Sequence, residues 1–390
     1  MLGTCLGAGP YGMGSAMAEE HQKILEELAG KHRLRSLASR AGLDFTSNDY
    51  LGLAESQVLK DAVRAALDRG VPAGAGGSRL LRGNHPEHEL LEEEAAQFFH
   101  AEAALYFPTG FAANAALAAT LPRREDLLIH DELIHASIRE GLRGQFPIAA
   151  TAHNDVSAIE NLIKHWRSNG GKGRIWIAVE TIYSMDGDKA PLSELAALAK
   201  QHDCMLMLDD GHATGVYGAQ GRGLAAPYEG QPNVICLHTC GKALGVMGGL
   251  VTLPRHLRDF MVNRARGFIY STAPSPLMAA TVRAALKLVA AADDQRDKLH
   301  ELVALLDDSL EKRLNIVHSG TPIQPILLGS DERALRVAAM LKEQGFDIRA
   351  IRPPTVPEGT ARLRIAVTLH ADAGSLDRLV DALVPAMEPA

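Results

Sequence analysis

From about Ser56 onward, short apolar runs alternate with longer stretches in which apolar residues recur at helical spacing. The short runs predict strands at Ala103–Phe107, Asp126–Ile129, Arg174–Glu180, Met205–Asp209, Val234–Leu237 and Gly248–Thr252. Helices are predicted between them, for example at Ala112–Thr120, Val156–Arg167 and Leu192–Gln201. Continuous apolar strands that alternate with helices are typical of a mostly parallel sheet covered by helices on both faces. The pattern therefore predicts an α/β fold.

The pattern changes after the loop Ser271–Pro276. A long helical stretch from about Leu277 to Arg313 leads to predicted strands and helices at Ile323–Leu328, Ala334–Gln344, Asp347–Ile351, Arg362–Val367 and Ala373–Val384. This is the pattern of a small α+β domain of about 100 residues, a usual domain size. We therefore predict an N-terminal arm at residues 1–45, a large domain at 46–285 and a small C-terminal domain at 286–390. Residues 1–16 are Gly-rich and lack a signal-peptide pattern, so we expect the natural chain to begin near Met17.

Composition narrows the class of protein. The 390 residues carry a net charge of −7 and no long basic run, which argues against a nucleic-acid surface. No apolar stretch approaches the roughly 20 residues of a membrane span. The four cysteines show no paired spacing, which fits a reducing compartment. We expect a cytoplasmic protein that binds neither nucleic acid nor membrane.

Two short motifs after predicted strands carry the most specific chemistry. Asp209 ends an apolar run and is followed by His212, and Lys242 lies 33 residues (242 − 209) after Asp209, in a turn of small residues. A lysine in such a turn can form a Schiff base with the aldehyde of pyridoxal 5′-phosphate (PLP). An aspartate at a strand end can keep the pyridine nitrogen protonated, so that the ring accepts electrons. Alone, Lys242 is more often a solvated loop lysine and Asp209 a helix cap. Their order and placement at strand ends favour PLP.

Other ligand motifs are incomplete. The stretch Gly74–Arg79 lacks the third glycine of a dinucleotide-binding loop and follows no predicted strand. The pair Gly241-Lys242 lacks both the first glycine and the final Ser/Thr of a Walker loop. Cys236, His238 and Cys240 alternate along one strand, but no fourth ligand motif accompanies them. We interpret them as buried strand residues and predict no metal site.

From about Phe45 to Val384 the chain resembles the α-oxoamine synthases, PLP enzymes with the aspartate-aminotransferase fold. The matching motifs are Thr46–Leu53, Gly74–Gly83 with His85, Phe107–Asn114, His135–Ser137, His153–Val156, Ser184–Asp188, Asp209–His212, Gly215–Gly218, Gly221–Gly223, Thr239–Gly245 and Tyr270–Thr272. The resemblance implies the type I fold of PLP-dependent transferases and a homodimer with shared active sites. One departure is that Gly211 and Ala213 stand where the family usually has Ala and Gly.

The stretch Ala350–Arg364, with Ile323–Pro325 upstream, is most similar to the members that condense L-alanine with a pimeloyl thioester in biotin biosynthesis. In that reaction the carbanion of alanine attacks the thioester and carbon dioxide is lost. The thiol carrier is either coenzyme A or acyl carrier protein. One alternative is another α-oxoamine synthase that uses glycine or serine with a different thioester. A second is an inactive partner subunit, which the presence of Lys242, Asp209 and His212 disfavours.

The resemblance also assigns roles around the cofactor. Lys242 would bind PLP and move protons at the substrate α-carbon, while Asp209 would pair with the pyridinium nitrogen. His212 would reach the ring hydroxyl, and His135 would stack on the ring. His135 also has the alternative of a surface histidine at a helix N-terminus. Ser184 would contact the cofactor, although its sequence Ser-Met-Asp-Gly-Asp is also an ordinary turn.

The phosphate would lie at a helix N-terminus, which favours anions. Its predicted ligands are Thr109, Gly110, Phe111 and Thr239 of one chain and Ser271 and Thr272 of the neighbouring subunit.

Arg364 would bind the amino-acid carboxylate in two-point fashion. We expect Arg362 to project from the opposite face of the strand, and the alternative is that both arginines are surface residues. Thr355 would lie beside the acyl chain, and Asn48 and His135 would also bind substrate.

Overall fold

The computed structural model describes residues 14–142 and 146–387, so most of the segment expected to precede the natural start lies outside the described residues. The helices are α1 (Gly14–Gly30), α2 (Gln57–Asp68), α3 (Pro86–Phe98), α4 (Gly110–Thr120), α5 (Ala136–Gly141), α6 (Val156–Ser168), α7 (Leu192–Gln201), α8 (Arg255–Arg264), α9 (Arg266–Ile269), α10 (Pro276–Ala290), α11 (Asp293–Leu314), α12 (Asp331–Glu343) and α13 (Ala373–Met387). The strands are β1 (Leu43–Asp44), β2 (Ala103–Phe107), β3 (Leu127–Asp131), β4 (Ile148–Thr151), β5 (Ile175–Glu180), β6 (Cys204–Asp209), β7 (Val234–Thr239), β8 (Gly249–Leu253), β9 (Ile323–Gly329), β10 (Phe346–Asp347), β11 (Arg349–Ile351) and β12 (Ala361–Ala366).

The large sheet is mostly parallel, as predicted. In the described part of the chain its order is β2-β8-β7-β6-β5-β3-β4, with β8 antiparallel to both of its neighbours and the other pairs parallel. The sequence analysis missed β4, the edge strand. The first three of its four residues are not buried, so no continuous apolar run marks it.

The central strands are apolar throughout because helices cover both faces of the sheet. Along β5, Trp176 and Ala178 belong to one buried cluster, while Ile175, Ile177 and Val179 belong to another. Successive side chains of a strand point to opposite faces, so the two clusters lie on the two sides of the sheet. Complete burial of one such aliphatic side chain stabilises the fold by about 1.5–3 kcal/mol. This burial holds the strand ends, and the polar residues on them, in fixed positions.

The C-terminal part of the chain contains the antiparallel sheet β11-β12-β9 and the helices α11, α12 and α13. The long helix expected from Leu277 to Arg313 is wrong, because the structure has two helices that are interrupted at Ala291 and Ala292. The second helix begins with the acidic pair Asp293-Asp294, and negative charge stabilises the N-terminus of a helix.

The predicted arm is fastened to the C-terminal part of the chain. Its strand β1 pairs in parallel with β10, so that Leu43 lies opposite Phe346. The domain boundaries themselves remain a prediction. Among the described residues, none of the helices has the length and apolar character needed to span a bilayer.

Candidate active site

Three neighbouring strands of the large sheet end in polar residues. Glu180 is the last residue of β5, Asp209 of β6 and Thr239 of β7, and Glu180 is the direct register partner of Asp209. Lys242 follows three residues after β7. Because β5, β6 and β7 are parallel, their carboxyl ends lie at the same edge, where α/β folds bind ligands.

The carboxylate of Asp209 is oriented by two N–H donors. Asn114 in α4 donates from Nδ2 to Oδ2 at 2.6 Å, and the backbone N–H of Gly211 donates to Oδ1 at 3.0 Å. Asn114 is itself held by a 2.9 Å bond to Ser137 Oγ. Hydrogen bonds to an ionised group are short and strong, so this set suits a fixed anion. Sequence analysis placed Asn114 in a motif but gave it no role.

The space beside Gly211 brings three predicted cofactor residues together. A Cβ added at Gly211 would lie 2.8 Å from Thr239 Oγ1, 2.9 Å from Asp209 Oδ1 and 3.0 Å from Lys242 Nζ. A carboxylate, a hydroxyl and an amine therefore lie close together, and these are the groups that PLP would need for its ring nitrogen, phosphate and aldehyde. The methyl group of the alanine that the family usually has at this position would crowd that space.

The predicted phosphate cradle lies at the start of α4. A Cβ added at Gly110 would lie 2.6 Å from Thr239 Oγ1, so that hydroxyl adjoins the first residue of the helix. Thr109 caps the helix, its Oγ1 accepting from Ala112 N at 3.0 Å. The first N–H groups of a helix have no intrahelical acceptor, and those of Gly110 and Phe111 are available to an anion. These residues fit a phosphate.

The electrostatics of Lys242 and His212 favour neutral forms. Burial lowers the pKa of Lys242, while the carboxyl groups of Asp209 and Glu180 oppose that shift. Burial, and then the cations Lys242 and Arg364, lower the pKa of His212 well below its ordinary value. A neutral amine is the nucleophilic form that attacks an aldehyde.

Tyr50 orients His212. Its hydroxyl lies 2.7 Å from His212 Nδ1 and 3.3 Å from Asn48 Oδ1, and its side chain is fully buried. Burial raises the pKa of Tyr50 to about 12, so the phenol keeps its proton. Tyr50 belongs to a motif quoted for the family resemblance, but sequence analysis did not connect it with His212.

His135 lies at the N-terminus of a helix, as one of the two interpretations from the sequence has it, and its stacking on the cofactor ring stays a prediction. It is the N-cap of α5, where Nδ1 accepts from Ser137 N at 3.2 Å and lies 2.6 Å from Ser137 Oγ. Burial lowers its pKa, and the charges of Asp209 and Lys242 also act on it. The same residue therefore caps a helix and faces the proposed cofactor site.

Arg364 lies in β12 and is 7% exposed. Its Nε donates to Ser184 O at 2.6 Å, and its Nη2 donates to Asn48 Oδ1 at 2.9 Å. The structure thus brings together three predicted site residues from distant parts of the chain. Because a guanidinium carries five N–H donors, Arg364 retains others for a substrate carboxylate.

The expectation for Arg362 is wrong. Residues two apart in a strand share a face, and β12 pairs regularly with β9 from Arg362 onward. Arg362 is 4% exposed and forms an ion pair with Asp186. Both arginines therefore reach the loop after β5, and neither is a surface residue.

A cavity of about 650 Å³ opens above this loop. Thr355 lines it together with His135 and Ser184, and its contact with an acyl chain stays a prediction. Arg35 and Arg139 also line it, and Arg35 Nη2 donates to Thr355 Oγ1 at 3.0 Å. Neither arginine could be assigned from the sequence, because the segment between the arm and Phe45 is too short for its arginines to be matched and Arg139 lies in a short helix.

Ser271 and Thr272 are exposed on the loop between α9 and α10. Within the described residues of this single chain they form no hydrogen bond with Lys242, Asp209 or Thr239. Their contribution to a neighbouring subunit stays a prediction.

Asp210, Cys236 and His238 form a buried group behind the site, with potential ligand atoms within 4.8 Å of one another. His238 Nδ1 lies 2.8 Å from Thr214 Oγ1, and His238 Nε2 lies 3.1 Å from Glu229 Oε2. Both ring nitrogens thus have protein partners, as in a hydrogen-bonded polar network.

Comparison with known proteins decides the family. The family model for aminotransferases of class I and II matches residues 40–383. The 8-amino-7-oxononanoate synthase of Chromobacterium violaceum is 41% identical over 375 residues, which cover 92% of this chain and 96% of the relative. That of Geobacter sulfurreducens is 40% identical over 367 residues, 93% of each chain. The chain belongs to the 8-amino-7-oxononanoate synthases, within the class I and II aminotransferases. Members of this group are PLP-dependent acyltransferases, so the predicted family, enzyme class and cofactor are confirmed.

Solved structures confirm the fold. A serine palmitoyltransferase from S. paucimobilis, with a bound PLP–myriocin adduct, superimposes with a TM-score of 0.85 at 23% identity, covering 95% of this chain and 96% of that one. The 8-amino-7-oxononanoate synthase of Francisella tularensis gives a TM-score of 0.75 at 26% identity, covering 88% of this chain and 97% of that one. The predicted type I fold is therefore correct.

Proposed function

We propose that this synthase condenses L-alanine with a pimeloyl thioester, with loss of carbon dioxide and release of the thiol, to form 8-amino-7-oxononanoate for biotin biosynthesis. The names of the relatives support the reaction. The observation that carries the choice of acyl group is the cavity that joins His135 and Ser184 to the cations Arg35 and Arg139. A pimeloyl chain ends in a carboxylate, for which two guanidinium groups are suitable partners.

PLP supplies the electron sink that stabilises the carbanion at the alanine α-carbon. Asp209 keeps the ring nitrogen protonated through a carboxylate that Asn114 and the Gly211 amide hold in place. Lys242 would hold the cofactor and then move a proton at the α-carbon, and burial lowers the pKa of its amine, which favours the neutral form needed for this role. His212, oriented by Tyr50, would hydrogen-bond to the ring hydroxyl of the cofactor.

Alanine is positioned through its carboxylate. Arg364 is fixed by Ser184 O and Asn48 Oδ1, and its remaining N–H groups bind the two carboxylate oxygens. His135 lies across the site and restricts the orientation of the bound amino acid. Fixed orientation at the α-carbon is the main contribution that a protein makes beside its cofactor.

The acyl thioester enters through the cavity. Thr355 and Arg35 bind each other at its wall and together offer a hydroxyl and a cation to the far end of the chain. Coenzyme A and acyl carrier protein both remain candidates for the thiol carrier. We further propose a cytoplasmic homodimer in which Ser271 and Thr272 of one subunit complete the phosphate site of the other.

A substrate panel tests the proposal. Alanine, glycine and serine are each paired with pimeloyl-CoA, its terminal methyl ester, heptanoyl-CoA and palmitoyl-CoA, and product release is followed by mass spectrometry. We expect alanine with pimeloyl-CoA to give the highest kcat/KM, with the methyl ester and heptanoyl-CoA at least tenfold lower. Preference for glycine or serine would contradict the amino-acid assignment. Equal use of heptanoyl-CoA and pimeloyl-CoA would contradict the role of the arginines.

A further inference from the structure

Glu180 is a buried carboxyl group in the site to which sequence analysis gave no role. It ends β5, is 2% exposed and lies opposite Asp209 in the register of the parallel strands. Its Oε2 accepts from the backbone N–H of Ser184 at 3.2 Å. Its Oε1 is fully buried and has no hydrogen-bond partner among the described residues. An unpartnered buried oxygen at a ligand site calls for a physical explanation.

The carboxyl groups of Glu180 and Asp209 repel each other when both are charged. Register partners on adjacent parallel strands lie about 4.8 Å apart and project from the same face of the sheet. Burial, and next the charge of Asp209, raise the pKa of Glu180 well above its ordinary value, while Lys242 acts in the opposite direction. Two neighbouring carboxyl groups in one site commonly share a proton for this reason.

The hydrogen bonds indicate which group keeps the proton. Asp209 accepts from Asn114 Nδ2 and from the backbone of Gly211, one donor for each oxygen. Glu180 accepts from the Ser184 backbone N–H on Oε2, and the Ser184 hydroxyl also lowers its pKa, whereas Oε1 has no partner among the described residues. Oε1 is therefore the oxygen on which a proton is best accommodated. A neutral acid at Glu180 also leaves Asp209 as the anion for the pyridinium nitrogen and adds no charge that would hold Lys242 as an ammonium.

We propose that Glu180 is a positioning residue that acts as a neutral carboxylic acid. Its Oε1 proton would form a hydrogen bond to the bound cofactor, beside Asp209 and Lys242. The groups that face it are Asp209 at the end of β6, Lys242 in the turn after β7, and Tyr183 and Ser184 in its own loop. The proposal concerns the cofactor and depends on neither alanine nor the acyl thioester. Its failure is therefore distinguishable from failure of the proposed reaction.

The test compares two neutral variants: Glu180→Gln, whose side chain still donates a hydrogen bond, and Glu180→Ala, whose side chain cannot. The purified proteins, loaded with PLP and free of substrates, are titrated between acid and alkaline pH while the visible cofactor band is recorded. A neutral Glu180 predicts that Glu180→Gln leaves the midpoint of this titration unchanged. If Glu180 is a carboxylate in the native protein, the midpoint falls by about one pH unit or more, because a counter-charge to the Lys242 nitrogen is lost. That outcome would overturn the proposal.

Two further measurements do not depend on turnover. PLP affinity should fall about tenfold in Glu180→Ala but not in Glu180→Gln, as expected for the loss of one buried hydrogen bond. Equal affinity of native protein and Glu180→Ala would refute a hydrogen bond from Oε1. Infrared difference spectra should show a protonated carboxyl band that Glu180→Gln removes. Glu92 is the matched control, since it is similarly buried but paired with Arg79, and Glu92→Gln should leave that band in place.

Circular dichroism and thermal unfolding identify a variant that fails to fold. If Glu180→Ala fails to fold, the pH titration and the infrared spectra of Glu180→Gln still show whether Glu180 is protonated. Retention of the infrared band in Glu180→Gln would place the proton elsewhere and refute the assignment.

Discussion

Replacement of Arg364 by lysine tests how the amino-acid substrate is held. The guanidinium already donates from Nε to Ser184 O and from Nη2 to Asn48 Oδ1. Lysine keeps the positive charge, but its single nitrogen cannot keep these contacts and also bind a carboxylate at two points. The loss of one charge-assisted hydrogen bond costs about 1.5–3 kcal/mol, which corresponds to an increase of about 10- to 150-fold in KM. We expect this increase in the KM for alanine, and a much smaller one in the KM for the thioester.

Arg349 is the matched control. It is the register partner of Arg364 in β11, its side chain is 41% exposed, and it pairs with Asp347. An exposed ion pair contributes about 0–1 kcal/mol, so Arg349→Lys should leave both KM values nearly unchanged. Arg362→Lys should act mainly on the thioester, because Arg362 holds Asp186 at the wall of the cavity. Steady-state kinetics with each substrate varied in turn measures these effects. Equal effects of Arg364→Lys and Arg349→Lys on alanine would refute the assignment of Arg364.

Three further predictions concern the cofactor and the loop beside it. The purified protein should be yellow, and borohydride reduction followed by peptide mapping should find the cofactor on Lys242; attachment to another lysine would contradict the assignment. Asp209→Asn should lower kcat at least ~10²-fold, about 2.7 kcal/mol, because an amide stabilises a pyridinium poorly, and near-normal turnover would exclude that pairing. Although burial opposes it, hydrogen bonds to Asp131 at 3.0 Å and Asp188 at 2.7 Å raise the pKa of His153 from 6.5 to about 10. The raised pKa means that this stabilisation is complete below about pH 6.5 and is lost as the pH rises through about 10. Urea unfolding across that range should therefore show a stability difference between native protein and His153→Gln that shrinks at high pH, and a constant difference would contradict the linkage.

The sequence predicted those parts of the fold in which a local pattern is also the structural cause. The strands β5 and β6 are buried on both faces, so their apolar runs are continuous and end at the polar residues Glu180 and Asp209. The exposed edge strand β4 has no continuous apolar run, and the break between α10 and α11 is marked only by the acidic pair Asp293-Asp294, so both were missed.

In the candidate site, too, the residues with a local sequence pattern were predicted and those without one were not. Lys242, Asp209 and His212 are recognisable because their spacing along the chain reflects two strand ends and one turn. The contacts that orient them are not local, since Tyr50 lies 162 residues from His212 and Asn114 lies 95 residues from Asp209. An alternation argument also misplaced Arg362, although residues two apart in a strand share a face. The spacing alone therefore already required a shared face with Arg364, and the ion pair with Asp186 agrees with it.

The residues that line the cavity come from segments that no single motif contains. Arg33 of the arm donates to Asp331 Oδ2 at 2.7 Å and to both carboxylate oxygens of Glu358. These ion pairs fasten the arm to the C-terminal part of the chain and thereby hold Arg35, two residues later, against Thr355 in the cavity wall. The catalytic motifs lie on the large sheet, whereas the cations that would select the acyl chain come from elsewhere. Enzymes with the same motifs around the cofactor can therefore differ in acyl substrate through changes confined to the arm and the cavity wall.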